Sequence, residues 1–180
     1  VAGMGADLFE SYVGSIVGCM ILGVAVDAPA SMKFKLVSLP LLLCVVGIFA
    51  SVVGIFMVKA KPGSNPQKAL NTGSFGAAII AAVLTYPLCI WVLGGETFNG
   101  GTGPVNVFLA SVIGLAAGVI IGMLTEYYTG TNKKPVETIV EACETGPATT
   151  LITGMGVGMM SCFPSVIVIA AAILCSYFMA

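Results

Sequence analysis

Five continuous apolar runs, at residues 1–26, 36–58, 69–93, 104–128 and 147–180, constrain this chain more than any other feature. Each exceeds the roughly 20 apolar residues that a helix needs to cross a bilayer core. With no water to satisfy free N–H and C=O groups, such runs must be helical. A transmembrane barrel is excluded, because its strands alternate apolar and polar residues. The predicted fold is all-α, a polytopic transmembrane helical bundle with about five spanning helices, all part of a single transmembrane domain. Composition agrees: 8% of residues are charged and the mean hydropathy is +1.06. An ordinary soluble domain carries roughly 25% charged residues. The chain is read as an integral, multi-pass membrane protein whose first partner is the lipid bilayer.

Punctuation supports these boundaries. Asp27-Ala28-Pro29 ends the first helix. Asn65 is a predicted N-cap, with Pro66 at the first helical position. Pro104 and Pro147 can each open a helix, while Pro40, Pro87 and Pro164 fall inside or near helices as expected kink points. Residues 135–145 form a predicted short amphipathic cytoplasmic helix. Val136, Ile139, Val140 and Cys143 fall on one face and Glu137, Glu141 and Glu144 on the other. The simplest reading of these glutamates is a solvated face, and the alternative is a docking surface for a neighbouring loop. Gly114, Gly118 and Gly122, and likewise Gly154, Gly156 and Gly158, are predicted to allow close helix packing.

Lysine sets the expected sidedness. Lys59, Lys61, Lys68, Lys133 and Lys134 lie in loops on one side, and only Lys33 and Lys35 lie on the other. The positive-inside rule puts the N-terminal end in the cytoplasm. The chain begins at Val1 rather than Met and ends without a polar exit, which leads to the expectation of an internal fragment of a larger protein.

Several chemistries are not indicated. The net charge of −1 gives no electrostatic footprint for nucleic acid. There is no His, so the commonest general base and metal ligand is missing. The six Cys form no C-x-x-C pair, and neither a disulfide framework nor a zinc site is expected.

What remains is an acidic cluster in the first apolar run. Asp7, Glu10 and Ser11 share a helical face that continues through Gly14, Ser15 and Gly18. An ionised acid at mid-bilayer costs about 2.5–3.5 kcal/mol on insertion scales, so a chain that keeps two gains something from them. The functional reading is a cation or proton site facing a cavity. The plain alternative is that Asp7 sits hydrated at the membrane edge. Two carboxylates and a hydroxyl are hard oxygen donors suited to a hard cation. They could equally share a proton, because close carboxylates rarely both stay ionised.

Four stretches carry a family resemblance. They are Ala2-Gly3-Met4-Gly5-Ala6-Asp7-Leu8-Phe9-Glu10-Ser11-Tyr12, Asn65-Pro66-Gln67-Lys68-Ala69-Leu70-Asn71, Glu126-Tyr127-Tyr128-Thr129, and Thr145-Gly146-Pro147-Ala148-Thr149-Thr150 followed by Gly154-Met155-Gly156-Val157-Gly158-Met159. In this order and spacing the chain resembles membrane-integral inorganic pyrophosphatases along essentially its whole length. The resemblance implies a parent enzyme that hydrolyses pyrophosphate at a cytoplasmic Mg²⁺ site and pumps Na⁺ or H⁺ outward, with K⁺ as a further cofactor in some members. It also implies a homodimer, here expected in a prokaryotic cell membrane. Asp7 matches the family's gate aspartate and Glu10 the glutamate one turn below it, a position typical of sodium pumps. Ser11 matches a gate-region hydroxyl. In many proton pumps that glutamate sits one turn further on, where this chain has Gly14. The resemblance thus implies Na⁺ held at Asp7 and Glu10.

The same resemblance implies that catalytic residues and Mg²⁺ ligands lie upstream of Val1, so this fragment alone is expected to be inactive. Three alternatives stay open: the same enzyme type pumping H⁺, a secondary transporter or channel fragment with a carboxylate ion gate, and a purely structural membrane scaffold.

Overall fold

The computed structural model describes residues 2–26, 28–58, 66–94 and 103–179. The chain order is α1 (Ala2–Ala25), α2 (Ala30–Met57), α3 (Pro66–Leu93), α4 (Pro104–Thr129), α5 (Lys134–Cys143) and α6 (Pro147–Met179). There is no strand among the described residues. Among the described residues five helices are long and apolar enough to cross a membrane, and the fold they make is all-α. The expected N-cap Asn65, the helix-ending Asp27 and the loop residues Lys59 and Lys61 lie outside the described residues.

One helix start departs from the sequence expectation. α2 begins at Ala30 rather than at residue 36. Pro29 closes the preceding turn, and its carbonyl accepts N–H bonds from Met32 and Lys33, both at 2.9 Å. The apolar run starts after Lys33 and Lys35, but both belong to the first turns of the helix, where they are half-buried. Long lysine stems can lie along a helix while the charge reaches towards water. Pro40, Pro87 and Pro164 all lie inside helices.

The chain divides into two compact units, residues 1–109 and 110–179. In the first, α2 and α3 meet through glycine. A Cβ placed on Gly54 would lie 2.8 Å from the Ala77 Cβ and 3.0 Å from the Gly73 carbonyl oxygen. A Cβ on Gly73 would overlap the Val58 Cγ2 and lie 3.1 Å from the Gly54 carbonyl oxygen. Lipid tails are as apolar as leucine, so such close backbone approach and its dispersion contacts are what hold membrane helices together. The glycines expected to do this behave differently. A Cβ on Gly114, Gly118, Gly122, Gly154, Gly156 or Gly158 would meet nothing within 4 Å. A G-x-x-x-G pattern makes a helix approachable, but no described residue approaches it there.

Near the N-terminal end of α2, Met32, Leu36 and Leu93 are buried together, with Val26, Ala28 and Val107 packed on them. Tyr86 of α3 meets Phe108 of α4 edge-to-face, with ring centroids 5.2 Å apart. α3 ends at Gly94, whose φ of +62° and N–H bond to the Ile90 carbonyl (2.9 Å) form a left-handed cap. Gly73→Ala is expected to destabilise the α2–α3 pair by about 1–3 kcal/mol, the usual cost of overpacking. Thermal unfolding in detergent checks this, and an unchanged midpoint would count against the glycine contact.

In the second unit, α5 turns into α6 at a threonine corner. Gly146 has φ +129°, a conformation that glycine tolerates and other residues rarely adopt. Thr145 donates its hydroxyl to the Ala142 carbonyl at 2.8 Å. The Thr149 hydroxyl lies 2.7 Å from Thr145 Oγ1, 2.7 Å from the Gly146 carbonyl and 3.0 Å from the Ala142 carbonyl. Thr150 donates to the Gly146 carbonyl at 2.9 Å. On α5, Val136 and Ile139 are half-buried and the three glutamates exposed, but Val140 is 61% exposed and Cys143 is exposed too. The apolar face is therefore only partly covered.

Candidate ion-binding site

The sequence-predicted residues lie together on α1. Asp7, Glu10 and Ser11 are all exposed, on one stripe of an unbroken helix. Asp7 and Glu10 are about 4.5 Å apart along the axis at 1.5 Å per residue. The stripe continues through Gly14 and Gly18, where an added Cβ would meet nothing within 4 Å. It therefore presents oxygen donors next to a thin, unobstructed strip of backbone. Ser15 returns its hydroxyl to the Ser11 carbonyl at 2.8 Å, leaving Ser11's own hydroxyl as the third donor beside the carboxylates.

The opposite side of α1 is seated on α2. Ile16, Met20 and Gly23 are half-buried, at spacings of four and three residues. A Cβ on Gly23 would lie 3.1 Å from both the carbonyl carbon and oxygen of Leu36. Tyr12 starts this row, and its hydroxyl donates to the Cys44 carbonyl at 3.3 Å. At 100° per residue, the packed row and the Asp7–Glu10–Ser11 stripe fall on nearly opposite faces.

Chemically, the stripe offers two carboxylates and one hydroxyl, all hard oxygens that suit an alkali cation or a proton. Among the described residues no three His, Cys, Asp or Glu side chains converge as a metal-binding group.

Two further features are not visible in the sequence. In the sequence Tyr12 stands only as the last residue of a family-like stretch, because its partner is a backbone atom on another helix. A cavity of about 240 Å³ opens between α4 and α6, lined by Thr125, Tyr128, Thr129, Ser161, Cys162 and Ser165 among others. Its hydroxyls return to carbonyls of their own helices: Thr125 to Ile121 (2.9 Å), Thr129 to Thr125 (2.8 Å), Ser161 to Gly158 (2.6 Å) and Ser165 to Ser161 (3.2 Å). Two of the four family-like stretches adjoin structural features. Tyr128 and Thr129 line this cavity, and the Thr145–Thr150 stretch builds the α5–α6 corner.

Comparison with known proteins places this geometry in context. The family model for inorganic H⁺ pyrophosphatase matches residues 1–180. A Clostridium tetani protein, provisionally named as a K⁺-stimulated pyrophosphate-energized sodium pump, is 42% identical over 99% of this chain. A Caldanaerobacter subterraneus protein named as a K⁺-insensitive pyrophosphate-energized proton pump is 41% identical over 98% of it. A Thermotoga maritima K⁺-stimulated pyrophosphate-energized sodium pump is 30% identical over 94%. The chain spans 24%, 25% and 26% of the lengths of these relatives, respectively.

Proposed function

The chain belongs to the inorganic H⁺ pyrophosphatase family, and from that premise we propose that it forms part of a membrane pyrophosphatase coupling pyrophosphate hydrolysis to outward pumping of Na⁺. In this reading Asp7, Glu10 and Ser11 are one half of the ion gate. The observation that carries it is the stripe itself: two carboxylates and a hydroxyl on a membrane-length helix, turned away from α2 and bordered by Gly14 and Gly18. A cation held there replaces water oxygens with carboxylate oxygens. Asp7 and Glu10 supply the countercharge, and Ser11 supplies a neutral ligand. Mg²⁺ would activate water for attack on the phosphoanhydride, with its ligands outside this chain.

Na⁺ is favoured over H⁺ by the placement of Glu10 one turn from Asp7, with Gly14 at the later position. Overall identity does not separate the two, since relatives named as sodium and as proton pumps match at 42% and 41%. That near-equality keeps H⁺ as the second reading. K⁺ stimulation in two of these relatives' names supports K⁺ as an activator. Pyrophosphate is the substrate, and a homodimer in a prokaryotic cell membrane is the expected assembly. A cytoplasmic N-terminal end is supported by Lys133 and Lys134, both exposed at the start of α5.

The test is pyrophosphate hydrolysis in membranes containing the complete protein, with Mg²⁺ present and Na⁺ varied. A severalfold rise with Na⁺ is expected. Indifference to Na⁺ would remove the sodium reading.

A further inference from the structure

Tyr12 directly follows Ser11 in the sequence and lies about 100° further round the helix, off the stripe. It is 40% exposed and sits in the row that seats α1 on α2. We infer that Tyr12 is a positioning residue for the cation site: its hydroxyl bond to the Cys44 carbonyl sets the rotation of α1 about its axis, and so the direction in which Asp7, Glu10 and Ser11 point. This rests on the gate reading proposed above.

The argument is geometric. Ile16 and Met20, half-buried on the same face, offer only apolar side chains, whose van der Waals contact is non-directional and lets a helix roll at little cost. Gly23 fixes closeness, with Leu36 backbone 3.1 Å from where its Cβ would be, but its missing side chain gives no grip on rotation. The Tyr12 bond is directional and joins residues 32 apart in sequence, so it ties two separate helices. In apolar surroundings a phenol O–H needs an acceptor. A carbonyl with two lone pairs can serve both its own helix and the tyrosine. Binding groups work only when held within about 0.5 Å and 10–20° of their geometry, so a lost rotational stop should be felt at the stripe on the opposite face.

The experiment uses the complete protein in inverted membrane vesicles. Tyr12→Phe keeps the ring and removes the bond. The Na⁺ concentration giving half-maximal stimulation of pyrophosphate hydrolysis is expected to rise about 2- to 5-fold, the lower part of the net worth of one neutral hydrogen bond, as suits a contact of 3.3 Å. The rate at saturating Na⁺ should be retained. An unmoved half-saturation overturns the inference, as does a lower maximal rate with half-saturation unmoved, which is what a merely structural tyrosine would give. Gly23→Ala is the second variant. It keeps the hydroxyl but pushes α1 off Leu36, so it should also raise half-saturation. If Tyr12→Phe does not reach the membrane, an unmoved Gly23→Ala overturns the inference instead. Glu10→Gln, run alongside, separates the two ideas. A Glu10→Gln protein with wild-type Na⁺ response removes the gate reading and this inference with it. A sensitive Glu10→Gln beside an insensitive Tyr12→Phe removes only the role of Tyr12.

Discussion

Asp7→Ala in the complete protein is expected to abolish outward ion transport, with sodium uptake into inverted vesicles falling at least a hundredfold. On the proposed gate assignment, the substitution removes one of the two countercharges offered to a dehydrated cation. Removing one partner of a desolvated ion pair costs about 3–5 kcal/mol, because the other charge is left without compensation. At 1.4 kcal/mol per decade, that is two to three and a half orders of magnitude in occupancy. Alanine leaves α1 intact, since it is the best helix former and Asp7 is exposed with the stripe around it open. Normal transport by this variant would mean that Asp7 is a hydrated residue at the membrane edge.

Glu10→Gln should have the next largest effect and reports on which ion is carried. Glutamine keeps an oxygen ligand and the shape of the side chain but loses the charge. A hydrogen-bonded or ion-bound charged group is worth about 1.5–3 kcal/mol. Half-saturation by Na⁺ should accordingly rise about 10- to 150-fold. Hydrolysis should recover at high Na⁺, because the remaining donors still form an oxygen site. A variant inactive at every Na⁺ concentration would instead point to Glu10 as a proton carrier, a role glutamine cannot fill. The titration thus separates the sodium from the proton reading where overall similarity to named pumps does not.

The length and continuity of the apolar runs made the helices legible, because lipid permits little else. The start of α2 was not, since Lys33 and Lys35 interrupt the run without interrupting the helix. Helix contacts were legible in kind but not in place. The repeated glycines of α4 and α6 drew attention, whereas the close approaches fall at Gly23, Gly54, Gly73 and Gly76. Which glycine is used depends on what crosses it, and a single chain carries no record of that. The Asp7–Glu10–Ser11 stripe followed from helical period alone. Its orientation did not, because that depends on Tyr12 finding a carbonyl 32 residues away. Backbone acceptors are identical at every position, so sequence cannot single one out.

The returned hydroxyls have a consequence for leakage. Ser15, Thr85, Thr125, Thr129 and Ser165 each bond a carbonyl one turn back on their own helix. Among the described residues no buried side-chain nitrogen or oxygen lacks a partner. Water moving through a membrane protein needs a relay of polar groups with spare bonding capacity, and these donors are already committed to their own backbone. A pump works against a field worth about 2.3 kcal/mol per charge at 100 mV. Any second conducting route would short-circuit that field. By turning their hydroxyls back onto their own backbones, these helices act as electrical insulation across the membrane they are long enough to span.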